Sequence, residues 1–297
     1  MVLRFFVYLQ TERLKLFFMT LLVSWAGLDQ KKTGKKVASI YFAADSRYTW
    51  KNPRSFKDDC QKVFRSQNYP EIFALCGDVN LASSFIDSAL KEIDNGTRFA
   101  NMLSYEQKIE ILTGIAESVY DNYPRNKLLD TKTVILYGTR ISYYEFHMGV
   151  FTCSPKDRIR FENCCIDEGA DAYSDLMTCD GEGESEFRDL WTRYSNDKAI
   201  SAGTSRAIYQ CLTDTLKVTN VETVGHIPQI VGLYRKGAAR YFGTCTNGNL
   251  YVAGKQVLEI TDDLNDIEWR NENFERVDPY TKELLAGAQR QPKEATP

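Results

Sequence analysis

Histidine is nearly missing from this sequence: two residues, His147 and His226, in 297. Neither sits in a context that pairs an imidazole with a serine or cysteine nucleophile, which argues against a Ser/Cys–His hydrolase. Neither stands at metal-ligand spacing from a cysteine, and the eight cysteines, at 60, 76, 153, 164, 165, 179, 211 and 245, contain no C-x-x-C pair. No metal and no cofactor is therefore expected. Several cysteines lie in apolar segments such as Phe73–Cys76 and Ile208–Cys211, where a free thiol behaves as a small hydrophobe. That usage points to a reducing, cytoplasmic environment. Basic runs with interleaved aromatics are also missing and the formal net charge is −3, so no nucleic-acid partner is expected. Lys31, Lys32, Lys35 and Lys36 cluster around Gly34 in the pattern of a solvated turn. Repeats and low-complexity linkers are absent, and 43% hydrophobic with 26% charged residues describes an ordinary globular chain.

Long apolar runs are absent as well, apart from Leu14–Gly27, which includes Lys15 near its start and follows Arg4 and Arg13. It is too short and too interrupted for a membrane span, and no membrane partner is expected. It has the form of a secretory signal, which would make residues 1–27 a signal peptide and the protein secreted. The cysteine-rich, unpatterned body favours the other reading, in which residues 1–19 are a removed leader or Met19 is the true start. Thr20–Trp25 is then the first core strand. Residues 20–258 form one domain, and the acidic, polar stretch 259–297 is a peripheral tail.

Hydrophobic periodicity supplies the element order. Thr20–Ala26 and Val37–Ala44 read as a hairpin joined by a polar link from Gly27 to Lys36. Val63-Phe64 and Glu71–Cys76 read as strands around an Asn68-Tyr69-Pro70 turn. Gly77 opens a helix with apolar residues at three-and-four spacing from Val79 to Leu90, and a second helix spans Tyr105–Asp121. Strands follow at Lys132–Tyr137, Tyr143–Thr152, Arg158–Cys165 and Ser174–Cys179. Gly181-Glu182-Gly183 starts a third helix and Ser201–Leu216 is a fourth, before strands at His226–Tyr234 and Ala239–Phe242. Blocks of strands and helices in this order predict an α+β fold with two sheet layers covered by helices.

Met19-Thr20 raises a specific chemical possibility. A threonine hydroxyl attacks at neutral pH only when a base takes its proton, and the residue's own α-amine serves when threonine begins the mature chain. That amine has an ordinary pKa of about 7.7–8.0, so a useful fraction is neutral near pH 7. The surrounding residues carry a resemblance. A threonine-initiated strand, the Asp45-Ser46-Arg47 triplet after an apolar strand, Lys62-Val63, and Cys76-Gly77 leading into an alanine-containing helix together resemble the first half of proteasome-like N-terminal-nucleophile hydrolases. These are the HslV-type peptidases, Anbu subunits and proteasome β-chains. A looser echo runs from Ala207-Ile208-Tyr209 to Val224–Ile230.

The resemblance implies a four-layer αββα sandwich and a peptidase or amidase acting on peptide or protein substrates. It also implies self-assembly into a ring or array, with an ATP-dependent unfoldase as a partner. It casts Thr20 as nucleophile, Lys62 as the cation tuning it, Asp45 as the anchor of Lys62, Arg47 as a partner for acidic groups, and the Gly77 N–H as an oxyanion donor. The first hairpin is longer than in the family pattern. Gly181-Glu182-Gly183 stands where relatives carry a Gly-Ser-Gly turn with a supporting serine, and Glu222 or Thr223 is the candidate for the late acidic support. A catalytically silent scaffold subunit of the same fold is the alternative.

Overall fold

The first hairpin lies inside the larger sheet, one strand in from its edge. In the computed structural model, which describes residues 20–32, 34–51, 54–95, 98–99, 103–124, 132–196 and 201–288, β1 (Leu22–Lys31) and β2 (Gly34–Asp45) pair antiparallel. Leu22 faces Ala44 and Lys31 faces Gly34. Both strands run further than expected, because an established antiparallel register carries the polar link into the ladder, where its side chains are free to face solvent. Residues 1–19, expected as a leader, lie outside the described residues.

β3 (Tyr48–Lys51) and β4 (Arg54–Lys57) follow, then β5 (Val63–Arg65) and β6 (Glu71–Cys76). Helices α1 (Val79–Asp94) and α2 (Tyr105–Asn122) precede β7 (Thr133–Arg140), β8 (Phe146–Ser154), β9 (Arg158–Cys164) and β10 (Leu176–Asp180). Helices α3 (Glu184–Tyr194) and α4 (Ser205–Val218) precede β11 (Pro228–Tyr234), β12 (Arg240–Thr246), β13 (Asn249–Val252), β14 (Lys255–Val257) and β15 (Glu268–Asn271). The larger sheet has the order β10-β1-β2-β11-β12-β13-β14, with β15 beside β12, and the smaller is β5-β6-β7-β8-β9. β3 and β4 pair only with each other.

Alternation along the strands assigns each face. Leu22, Phe42 and Val231 of the larger sheet meet Ile72, Ala74 and Leu136 of the smaller in a core between the sheets. On the opposite side, Val23, Trp25 and Ile230 pack with Ile208 and Leu212 of α4. Phe73, Leu75 and Tyr137 likewise pack with Ala82, Phe85 and Ala89 of α1. Helix α1 begins where Asp78 accepts the Leu81 N–H at 3.1 Å, satisfying one of the donors that a first turn leaves open.

The four-layer αββα sandwich implied by the family resemblance is corrected by this architecture. The molecule is strand-dominated, with fifteen strands against four α-helices among the described residues, and large antiparallel sheets build its body. Beyond β12 the chain closes on a small core of Leu250, Trp269 and Val277 that contains no helical residue. The cause is local turn chemistry. Asn247 and Gly248 have φ of 50° and 75°, and Ala253 and Gly254 have φ of 49° and 82°. Positive φ at both central residues gives the two-residue hairpin turns that match strand twist, so the chain extends the sheet at each of them.

The stretch from residue 259, expected as a peripheral tail, is stitched into this end. β15 pairs in parallel with β12, Phe242 opposite Glu268. Phe274 enters the core beside α4, with its ring 5.0 Å from Tyr209, 5.6 Å from Tyr41 and 6.2 Å from Trp25. Acidic composition obscures these two aromatic anchors, Trp269 and Phe274. Phe274→Ala is expected to lower stability by about 3–5 kcal/mol, the usual cost of emptying an aromatic core site. Urea unfolding checks it; an unchanged midpoint would return the segment to the periphery.

Candidate active site

Thr20 precedes Leu22 by two residues and so shares its phase, facing the space between the sheets. Its Oγ1 accepts a hydrogen bond from Lys62 Nζ at 2.7 Å, and Lys62 donates a second to Asp45 Oδ1 at 2.9 Å. Lys62 and Asp45 have 0% exposure and Thr20 has 2%. A buried ammonium is costly unless paired and hydrogen-bonded, and here it has a carboxylate and a hydroxyl. Asp45 accepts more widely. Its Oδ1 also takes the Leu21 N–H at 3.0 Å, and Oδ2 takes the N–H groups of Arg47 at 2.9 Å and Gly225 at 2.8 Å. One side chain thus anchors the start of β1, the turn after β2 and the loop before β11.

Arg47 reaches this centre through its backbone alone. Its guanidinium grips Asp58, with Nε 2.5 Å from Oδ1 and Nη2 2.8 Å from Oδ2, and stacks 4.1 Å over the Phe56 ring. Nη1 donates to the Glu222 carbonyl at 2.7 Å. Glu222 therefore joins the shell around the site through its backbone, while Thr223 Oγ1 donates to Glu182 Oε2 at 3.2 Å. Such forked pairing is what guanidinium geometry favours, and the partner, Asp58, had no distinguishing pattern in the sequence.

Two glycines mark where backbone comes close. Gly181 has φ +108°, and a Cβ there would stand 1.8 Å from the Thr20 carbonyl oxygen. The Gly183 N–H donates to that same oxygen at 3.4 Å, so the 181–183 turn wraps the backbone of Thr20. Gly77, with φ +100°, lies between Cys76 and the first turn of α1, and the atoms nearest a Cβ there belong to Lys132 and Thr133. Cys76 faces the same region. Burial pushes its thiol up to about 12, which keeps it protonated at neutral pH and removes it as a thiolate nucleophile. Beside the turn, Asp180 accepts from Lys132 Nζ at 3.3 Å; burial raises its carboxyl, with Lys132 opposing.

The residue that escaped sequence reasoning is Gln229. It is fully buried on β11 and touches both Asp45 and Lys62 segments through its carboxamide. Its only sequence signal is a lone amide inside the apolar segment Ile227–Val231. The histidines are engaged elsewhere: His226 Nδ1 lies 2.6 Å from the Leu216 carbonyl, and His147 stacks 4.1 Å from Tyr105. Among the described residues no group of three or more His, Cys, Asp and Glu is arranged to hold a metal, and no helix is long and apolar enough to cross a membrane.

The glycine contacts give a direct test of how tightly Thr20 is held. Gly181→Ala combines a steric overlap with a left-handed backbone and is expected to cost at least about 1–3 kcal/mol. Gly287→Ala is the control: its φ is +75° with nothing within 4 Å, so it carries the backbone penalty without the overlap. Equal thermal shifts in the two variants would show that the Thr20 carbonyl is not confined by this turn.

Compared with known proteins, the chain matches no protein-family model and no curated protein. Among solved structures it is similar to a Gly-1 mutant of Anbu from Hyphomicrobium sp. strain MC1, with 15% identity and a TM-score of 0.46, over 75% of this chain and 85% of that one.

Proposed function

We propose that this chain is a threonine peptidase or amidase, with Thr20 as the first residue of the mature protein. The observation that supports this reading is the contact of Lys62 Nζ with Thr20 Oγ1 at 2.7 Å, the same ammonium being held by Asp45 at 2.9 Å. In the proposed reaction the Thr20 hydroxyl gives its proton to the Thr20 α-amine, and Oγ1 forms a bond to the scissile carbonyl carbon. The C–N bond then breaks, and the leaving amine takes the proton from the α-ammonium. Water, deprotonated in turn by the α-amine, cleaves the resulting ester and returns the hydroxyl.

Lys62 stabilises negative charge developing on Oγ1, Asp45 holds Lys62 in place, and the Gly77 N–H donates to the oxyanion. With residues 1–19 attached, the nitrogen of Thr20 is an amide and has no basic lone pair. Release of a free Thr20 amine is therefore part of the proposal. On the same reading the substrates are peptides or proteins, the subunits self-assemble in a closed or helical array, and an ATP-dependent unfoldase supplies unfolded chains.

Thr20→Ala is expected to abolish hydrolysis of fluorogenic peptides with the circular dichroism spectrum unchanged, and Thr20→Ser to retain part of it. Intact mass of the active protein should begin at Thr20. Full turnover by a chain that still begins at Met1 contradicts catalysis by the Thr20 amine.

Lys62→Arg separates a tuned cation from mere positive charge. Arginine is bulkier and presents a planar fork where a compact ammonium fits between Thr20 and Asp45. The expected loss in kcat is on the order of a hundredfold or more, measured on protein shown to be folded. Normal kinetics in Lys62→Arg would remove Lys62 from the site.

A further inference from the structure

Asp45 and Lys62 belong to different sheets. Asp45 ends β2 in the larger sheet, and Lys62 immediately precedes β5 in the smaller. Facing sheets share no ladder of hydrogen bonds, so side chains must set the distance across the gap. At this point the Lys62–Asp45 ion pair crosses the gap, and Gln229 crosses it beside that pair. Neighbouring residues on β11 alternate, with Ile230 in the core beside α4 and Val231 in the core between the sheets, and Gln229 shares the side of Val231.

Every polar atom of its side chain is engaged. Oε1 accepts the Lys62 N–H at 2.8 Å and the Val63 N–H at 3.3 Å. Nε2 lies 2.9 Å from the Asp45 carbonyl, 3.1 Å from Ser46 Oγ and 2.9 Å from the Cys60 carbonyl. The orientation is forced, since a flipped amide would set its oxygen against two carbonyls and its NH2 against two N–H groups. A glutamate would keep the acceptors and lose the donors. An asparagine would keep both and fall one methylene short.

We infer that Gln229 is a positioning residue for the proposed centre, its carboxamide clamping the backbones of Asp45 and Lys62 so that the Lys62 ammonium meets Thr20 Oγ1. The inference rests on the reading of Thr20 as nucleophile for its catalytic meaning, while the clamp itself is a statement about geometry. Catalysis is sensitive to this kind of support, because a displacement of about 1 Å in a catalytic group can cost about a hundredfold in rate.

The test uses the full chain in its active, processed form. In the wild-type protein, hydrogen exchange at the Lys62 and Val63 amides should be as slow as the slowest core amides; fast exchange at both overturns the clamp, whatever the variants do. In Gln229→Asn and Gln229→Glu, assayed where circular dichroism shows them folded, kcat should fall at least about tenfold with KM little changed. The rate at which a peptide β-lactone acylates Thr20 should fall in parallel. Wild-type kcat and acylation in either folded variant overturns the positioning role.

If wild-type protein neither turns over peptide nor is acylated at Thr20, the proposed function fails and the geometry is judged separately. The Lys62 ammonium signal in a 1H–15N spectrum should then still change in Gln229→Asn, and an unchanged signal overturns the inference.

Discussion

The Asp45 carboxylate is the point on which the arrangement around Thr20 depends. Its two oxygens receive the Leu21 N–H, the Lys62 ammonium, the Arg47 N–H and the Gly225 N–H. Those four donors come from the residue just before the first strand, the segment entering the smaller sheet, the turn after β2 and the loop entering β11. Burying a lone carboxylate or ammonium costs several kcal/mol even after relaxation, so each of these segments is held where the charges need it. The geometry of the centre is thus a by-product of satisfying one charge. Arg47 extends the same logic outward by tying Asp58 and the Glu222 carbonyl to the turn that carries Asp45.

Burial of a lysine does not by itself make such a centre, as a second cluster in the molecule shows. Lys108 on α2 donates to Glu71 Oε1 at 2.6 Å and to Thr139 Oγ1 at 3.0 Å, and Tyr137 donates to Glu71 Oε2 at 2.5 Å. Burial raises the Glu71 carboxyl, while Lys108 and the two hydroxyls oppose it. The hydroxyls there belong to mid-strand residues of β7, whose backbone nitrogens are ordinary amides. Around Lys62 the hydroxyl belongs to Thr20, the one residue in either cluster for which a free α-amine has been proposed. The two networks therefore share components and differ in what the backbone beside the hydroxyl offers.

Local patterns that depend on neighbours in sequence were legible. The β1–β2 pairing, the apolar stripe of α1 from Val79 to Leu90 and the span of α2 all follow from periodicity and capping, which short-range sterics dictate. Thr20, Asp45 and Lys62 were singled out from their order along the chain, and the fold brings their side chains into contact. What escaped depends on partners far away in sequence. Asp58 reads as one more surface acid until Arg47 is placed beside it, and Gln229 looks like an interruption of a strand until three segments converge on it. The hairpin turns at Asn247-Gly248 and Ala253-Gly254 were overlooked for another reason: the second needs Ala253 at positive φ, which its residue type does not advertise. With them went the strand-dominated end of the molecule, and with it the expectation of four regular layers.

The position of Thr20 explains why backbone, rather than side chain, crowds it. A residue two positions before a core strand that also faces the space between two sheets has little room left around its carbonyl. The 181–183 turn fills that room, with Gly181 so near that a methyl group would overlap the Thr20 oxygen. Glu182, in the middle of this turn, is reached by the Thr223 hydroxyl, so polar support comes from the loop that also supplies the Glu222 carbonyl and the Gly225 N–H. That loop contacts Glu182, Arg47 and Asp45 at once. Its hydrogen bonds join the turn around the Thr20 backbone to the carboxylate that holds Lys62, so residues 222–225 bridge the two parts of the centre.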